Sequence, residues 1–502
     1  MSAWAEAAVT AALSLETLAG GEARTYTGIA TDTRTLEAGS LFVALRGETH
    51  DAHAFLGAAA EAGAVAAVVD HIPDDAPVGL RYHVVPDTVV ALGRLARFHR
   101  RRLGLRVCAV SGSNGKTTTK ELVRHVLGVR YNVHATPGNL NNLVGVPLTL
   151  LGCPPSADVV VVELGTNVPG EVARLAAIAE PDAAIVTTVS AEHLEGLGDI
   201  DGVLREETSV LPWVPMHGSV VVADEPAMLA EHARQLHPGV RVAGFSERAD
   251  REFHGSDLTV DDDGRVRFRW AARDVALRLR GRHNGRNAAI ALALGHLWGI
   301  DADAAAEAVS GVEPQKMRSD VHRYGELTVI ADCYNANPGS VDAAIDLLTS
   351  MPARGGRVAI LGTMLELGPG SAEIHSEVAG RVAAAAIDTI VATGEFAAAF
   401  APLADGLGDR LIAEADPLVA FDVLANRLEG NEVILLKGSR GVRMERLLPR
   451  LENGWGMLHP HGEAFGPRAS EALTGASGQS PTEYAPPSST NPSRGDDEHG
   501  GG

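Results

Sequence analysis

The chain has 502 residues, a formal charge of −21 and 45% hydrophobic residues, the profile of a globular protein too long for one ordinary domain. That charge argues against a general nucleic-acid binder, because nothing in it would release counterions from a phosphate backbone. No run of 18 apolar residues supports a membrane span, no charged-then-apolar leader supports secretion, and three widely separated cysteines read as buried thiols of a reducing, cytoplasmic compartment.

Residues 1–84 alternate short apolar runs, "LFVAL" (41–45) and "AVAAVV" (64–69), with turn residues and an alanine-rich helical stretch. This predicts a small α/β domain. A polar helical connector, "ALGRLARFHRRRLG", then leads into "LRVCAV". Across 85–312 the pattern is strand, loop, helix, repeated through "DVVVVEL", "AAIVTTV", "GSVVVA" and "VRVAGF". Near-continuous apolar strands between helices indicate a parallel sheet covered on both faces. A second series, over 313–452, runs through "LTVIAD", "RVAILG", "TIVATG" and "EVILLKG" and closes on a predicted helix, "VRMERLLPRLEN". Residues 453–502 are rich in Ser, Pro, Gly and charge and are expected to form a disordered tail.

The stretch "VSGSNGKTTTK" (110–120) resembles a phosphate-binding loop, but Val110 stands where G-x-x-x-x-G-K-[ST] has its first glycine. Gly112, Ser113, Asn114 and Gly115 still lie between a strand and a helix that starts near Lys116, Thr117 and Thr118. Backbone N–H groups and a helix N-terminus in that setting cradle phosphate, with Lys116 for the β and γ phosphates and Thr117 for Mg²⁺. Only four of the 43 basic residues are lysines, so a lysine inside a glycine-rich motif, as at 116 and 437, suggests that a compact ammonium is needed. Glu163 ends the buried strand "DVVVVEL", at the edge where open α/β sheets bind ligands, and can supply a carboxylate for the metal. His193, in "VSAEHLEG", follows another buried strand at the same edge.

"SGSNGKTTTK" is similar to the shortened phosphate loop, G-[ST]-x-G-K-T, of the Mur ligase family, whose members form amide bonds in peptidoglycan precursors at the expense of ATP. "TPGNLNNLVGVPLTLL" (136–151), "YNANPGSVDAA" (334–344), "LGTMLELG" (361–368) and "LLKGSRGVRME" (435–445) resemble the branch that adds D-alanyl-D-alanine to a UDP-N-acetylmuramoyl tripeptide. "TDTRTLEAGSLFVALRGETHDAHAFL" (31–56) resembles that branch's UDP-binding module. The resemblance covers about residues 25–450.

It implies a three-domain ligase: an N-terminal α/β domain for the UDP end of the substrate, a central P-loop domain for ATP and Mg²⁺, and a Rossmann-like C-terminal domain for the dipeptide. It further implies that Asn284 and Asn287 contact adenine, that Asp332 reaches the nucleotide from the C-terminal domain with Arg318 or Lys316 nearby, and that Asn335, Asn337 and Ser340 surround the dipeptide. Lys437 and Arg440 would complete that side, while Thr33, Arg34, His53, Asn139 and Asn142 would serve the substrate. A lysine carbamylated in most of the family aligns with Glu207, which is therefore expected to hold Mg²⁺ beside Glu163 and His193. Two departures, Ala52 in "DAH" and Thr363 in "LGTM", leave open a ligase of the same fold with another carboxylate and amine. A non-catalytic paralogue is disfavoured by intact Lys116, Thr117 and Glu163. A monomer is expected.

Overall fold

A computed structural model describes residues 3–15, 24–47 and 50–456. The expected tail lies almost wholly outside them; only its first residues are described, inside the last helix, Leu448–Trp455.

The central sheet has six parallel strands in the order Val240–Ala243, Ser219–Ala223, Ala183–Val186, Arg106–Ser111, Val159–Glu163 and Val133–Ala135. Strand Arg106–Ser111 pairs with Ala183–Val186 on one side and Val159–Glu163 on the other, so successive connections leave it in opposite directions. A crevice opens at the carboxyl ends of strands at such a reversal. The phosphate loop, Glu163 and His193 all follow strands of this edge. Val159, Val160, Val161 and Val162 are fully buried, the outcome expected for a strand covered on both faces.

The N-terminal domain is a four-stranded parallel sheet with its own helix, Leu56–Glu61. Pleating divides its side chains. Phe42, Ala67 and Val69 form a small core with Leu56, whereas Leu41, Val43, Ala66 and Val68 join the central domain's core. The connector is the helix Thr88–Leu103, capped by the Asp87 carboxylate on the N–H groups of Val89 and Val90, and it lays Leu92, Leu95 and Ala96 into that shared core.

The C-terminal sheet runs Asp320–Tyr324, Leu327–Asp332, Val433–Lys437, Arg357–Leu361, Thr389–Ala392, Leu411–Ala413. Its neighbours are parallel except the first pair. Alternate residues feed two separate cores: Ile330, Ala359, Ile390 and Leu435 on one face, and Val329, Ile360, Val391 and Ile434 on the other.

Three elements differ from the sequence reading. Residues 256–280 form an antiparallel three-stranded sheet rather than another strand–helix repeat; its alternating burial, as in Arg265–Trp270, follows the period of two in "RVRFRW". Strand Asp320–Tyr324 adds an antiparallel edge. The final helix is shorter than expected, because 440–442 and 444–447 wind as two 3₁₀ turns separated by left-handed Arg443, and Pro449 can sit only in the first turn of the α-helix.

Candidate active site

The loop after strand Arg106–Ser111 turns through two left-handed glycines, Gly112 (φ 121°) and Gly115 (φ 83°), and Gly115 caps helix Lys116–Gly128. Thr187 and Asn287 crowd the two positions: a Cβ on Gly115 would lie 2.7 Å from the Asn287 Oδ1. The helix thus starts against a wall made by the central sheet and the helix Arg282–Leu297.

Two cavities meet at this loop. The first, about 250 Å³, is lined by residues 113–117, Asn139, Asn141, Asn142, Glu163, Glu192, His193, Arg318, Tyr334 and Asn335, among others. The second, about 580 Å³, brings Gly115, Thr118, Asn284, Asn287, Arg318, Asp332, Ser340 and Lys437 around one space. Residues expected on two different domains therefore share one cleft.

Charge in the first cavity is unevenly matched. Lys116 Nζ donates to the Gly112 carbonyl at 2.6 Å and lies 3.7 Å from both Glu192 and Glu207. Burial works against its ammonium, but the attraction of Glu207, Glu192 and Glu163 outweighs it and its pKa is raised. Burial pushes the Glu192 carboxyl up, with Lys116 and His193 offsetting only part. Glu163 accepts from Asn141 at 2.9 Å through Oε1, yet its Oε2 and the Glu192 Oε1, both buried, have no hydrogen-bond donor. Orphaned buried carboxylate oxygens are costly. Beside the Thr117 hydroxyl, these hard oxygen donors fit Mg²⁺ better than a soft metal.

Glu207 is placed differently from the expectation. It does not line this cavity. Fully buried behind the loop, it accepts from the Ser111 hydroxyl and, at 2.6 Å, from the Gly112 N–H. The carboxylate that faces the cavity next to His193 is Glu192, which the sequence reading passed over although it stands beside His193 at the same strand edge.

The nucleotide side is built from short-range contacts. Asn287 donates to Asn284 Oδ1 at 3.0 Å, and Asn284 donates to the Arg280 carbonyl at 2.7 Å. Gly281 is the cap of that helix. Neighbouring His283 lines the same cavity, and burial holds its pKa down at about 4. Across the cleft, Lys437 Nζ donates to Asp332 at 2.8 Å and to the Asn335 carbonyl at 3.0 Å. The Arg318 guanidinium lies 4.2 Å from the Tyr334 ring centroid, a cation–π contact.

Asn337 and Ser340 form a capping box at the start of helix Pro338–Ser350. Asn337 also exchanges hydrogen bonds of 3.0 and 2.9 Å with Asn114 and donates to Glu192 at 3.1 Å. His193 meets Glu366 of the C-terminal domain at 2.5 Å. Burial works against its imidazolium, but Glu366 and Glu192 outweigh burial and raise its pKa.

Four expected residues sit elsewhere. His53 is buried with both ring nitrogens engaged, by Asp51 at 2.6 Å and by the Asp70 N–H at 3.2 Å. Thr33 and Arg34 lie in a turn where Arg34 grips Asp32, and Arg440 pairs with Glu445 at 3.2 Å. None of these four lines either cavity, and neither does buried Asn337, which was expected beside the dipeptide. Thr363, one of the two departures, is nearly buried, and its hydroxyl accepts from the Glu395 N–H at 3.0 Å, so it too holds a turn.

Residues 110–295 match the Mur ligase middle domain and 317–440 the Mur ligase glutamate ligase domain. The chain is 32% identical to the UDP-N-acetylmuramoyl-tripeptide–D-alanyl-D-alanine ligase of Bacillus subtilis, over 84% of this chain and 93% of that one. It is 36% identical to the Escherichia coli enzyme of the same name, over 86% and 95%. MurF from Acinetobacter baumannii superposes with a TM-score of 0.81 at 29% identity, over 90% of this chain and 99% of that one. MurF from Thermotoga maritima, a complex with ADP, gives 0.74 at 25% identity, over 85% and 97%.

Proposed function

Since the chain belongs to the Mur ligase family, we propose that it joins D-alanyl-D-alanine to UDP-N-acetylmuramoyl-tripeptide, forming ADP and phosphate, in the cytoplasm. One observation carries this reading: the phosphate loop of the central domain and Asp332, Asn335 and Lys437 of the C-terminal domain line two adjoining cavities that share Asn114, Gly115, Arg318, Tyr334 and Asn335. ATP would lie with its adenine by Asn284 and Asn287 and its phosphates over Gly112–Thr118. The tripeptide carboxylate would enter past Asn139 and Asn142, and the dipeptide amine from the side of Asn335 and Ser340.

A carboxylate is a poor electrophile. Its oxygen attacks the γ-phosphorus, ADP leaves, and the dipeptide nitrogen then attacks the acyl carbon and expels phosphate. Little covalent work falls to the protein, so positioning and preorganised charge dominate. Lys116 would meet the charge developing on the transferred phosphoryl group. Thr117, Glu163, Glu192 and His193 would hold Mg²⁺, which when bound neutralises phosphate charge. Glu207 in this reading steadies Lys116 and the loop from behind.

The test is phosphate release by purified protein. Release is expected only with ATP, UDP-N-acetylmuramoyl-tripeptide and D-alanyl-D-alanine together; equal release with the dipeptide omitted, or with an unrelated amine in its place, would refute the assignment.

A further inference from the structure

His193 is held from a direction its own domain does not supply. Its Nδ1 lies 2.5 Å from Glu366 Oε2, 173 residues further along the chain and in the C-terminal domain. Its Nε2 looks the other way, 4.0 Å from Glu192 Oε2, and His193 lines the cavity with Thr117 and Glu163. A carboxylate can only accept, so Nδ1 carries the proton of this contact and Nε2 is the nitrogen presented to the cavity.

The Glu366 side is built to keep its place. The Leu365 N–H donates to Ser439 Oγ at 3.0 Å, and the Met364 N–H donates to Nε2 of buried His375 at 3.0 Å. The Glu366 carbonyl accepts from the Glu195 N–H at 3.3 Å, which brings the two loops together at a second point. Both contact residues are non-glycine and left-handed, His193 at φ 50° and Glu366 at φ 65°. Such conformations are unfavourable for residues with a side chain and persist where surrounding structure enforces them.

We infer that Glu366 is a positioning residue, delivered by the C-terminal domain, that turns the His193 Nε2 toward the phosphate cavity and so couples cation binding to docking of that domain. A histidine that ligates a metal almost always donates its other N–H to a carboxylate or carbonyl; here that partner belongs to another domain. By linkage, a docked C-terminal domain raises cation affinity and a bound cation favours docking by the same factor. The inference rests on the reading of the cavity as a phosphate and cation site.

The test is Mn²⁺ binding by the full chain in the presence of ADP, followed by the electron paramagnetic resonance signal of free Mn²⁺. Glu366→Ala is expected to weaken Mn²⁺ roughly 10- to 100-fold, the usual effect of removing such an outer partner. Glu366→Gln, which still offers an oxygen to Nδ1–H, should recover most of the loss. Affinity for ADP without metal should not change, because Glu366 does not line the cavity that holds Asn284 and Asn287. Glu366 is about half exposed, so both variants should melt close to the parent. Mn²⁺ affinity within twofold of the parent in both variants would overturn the inference while leaving the cation site standing. A parent chain that binds no Mn²⁺ with ADP would overturn the reading of the cavity, and the inference with it.

Discussion

Removing Lys116 should cost the fold as well as the chemistry. Lys116 faces two carboxylates at 3.7 Å, Glu192 and Glu207, whose side chains are 4% and 1% exposed. With an effective dielectric near 20, one such contact is worth about 4–5 kcal/mol before the desolvation of the ammonium is counted. Breaking a buried pair by deleting one partner typically costs ~3–5 kcal/mol, because the remaining charge is stranded. In Lys116→Ala two carboxylates are stranded together. The loss for the central domain should therefore be at least ~3 kcal/mol, or roughly 10 °C in melting temperature.

Thermal unfolding of the ligand-free chain measures it, with Lys116→Ala compared against Lys116→Ala/Glu207→Gln. The double variant should regain about half of the deficit, since one stranded charge is gone. The pH dependence has a definite sign. Glu192 has a pKa raised above the ordinary carboxylate value; such a group contributes stability that is full below its unfolded pKa and is lost as pH rises through the folded one. Without Lys116 the pKa rises further, so the deficit should widen toward alkaline pH and narrow on acidification. A Lys116→Ala chain melting within about 2 °C of the parent at both ends of that range would refute the reasoning.

Gly115→Ala should weaken ADP binding at least about tenfold by calorimetry, because its Cβ would lie 2.7 Å from Asn287 Oδ1 at a φ of 83°. Gly128→Ala, whose Cβ would meet nothing within 4 Å, is the control and should bind ADP normally. His99 is buried, and burial with nearby Arg102 pushes its pKa down to about 4. Its contribution is complete above the unfolded value and lost as pH falls toward 4, about 3 kcal/mol in all; denaturant titrations should show this slope, and His99→Gln should flatten it. Asn337→Ala removes three hydrogen bonds between domains, to Asn114 and Glu192. It should enlarge the radius of gyration in solution scattering without nucleotide, and an unchanged radius would count against a role in docking.

The central sheet and the phosphate loop were legible because each leaves a local signature: a run of valines, a glycine-rich turn, a lysine where arginine is the rule. Glu163 and His193 could be placed from strand edges alone. The 256–280 sheet was missed although "RVRFRW" alternates, because arginine on its open face broke up the apolar signal. Glu192 was overlooked since an acid next to a histidine in a loop is unremarkable until burial is known. Glu366 could not be found by spacing at all, its partner being 173 residues away. Glu207 shows the reverse failure: alignment fixed its position on the helix Ile200–Thr208 but not where its carboxylate ends, since a shorter side chain stops at the loop's underside.

The way the cores are divided bears on how this chain could be re-engineered or reshuffled. One face of the N-terminal sheet is part of the central domain's interior, whereas the C-terminal sheet keeps both of its cores to itself. Transplanting residues 1–84 from a relative would therefore demand matched side-chain volumes across an apolar seam, where a one-methylene error is felt. The segment from about residue 317 can be exchanged under fewer constraints: polar contacts such as those of Asn337, Glu366 and the Arg323–Asp263 pair must be preserved, together with the close approach of Leu347 and Met351 to Gly264. New acceptor amines should thus be easier to recruit than new nucleotide-linked donors, in the laboratory and in natural recombination alike.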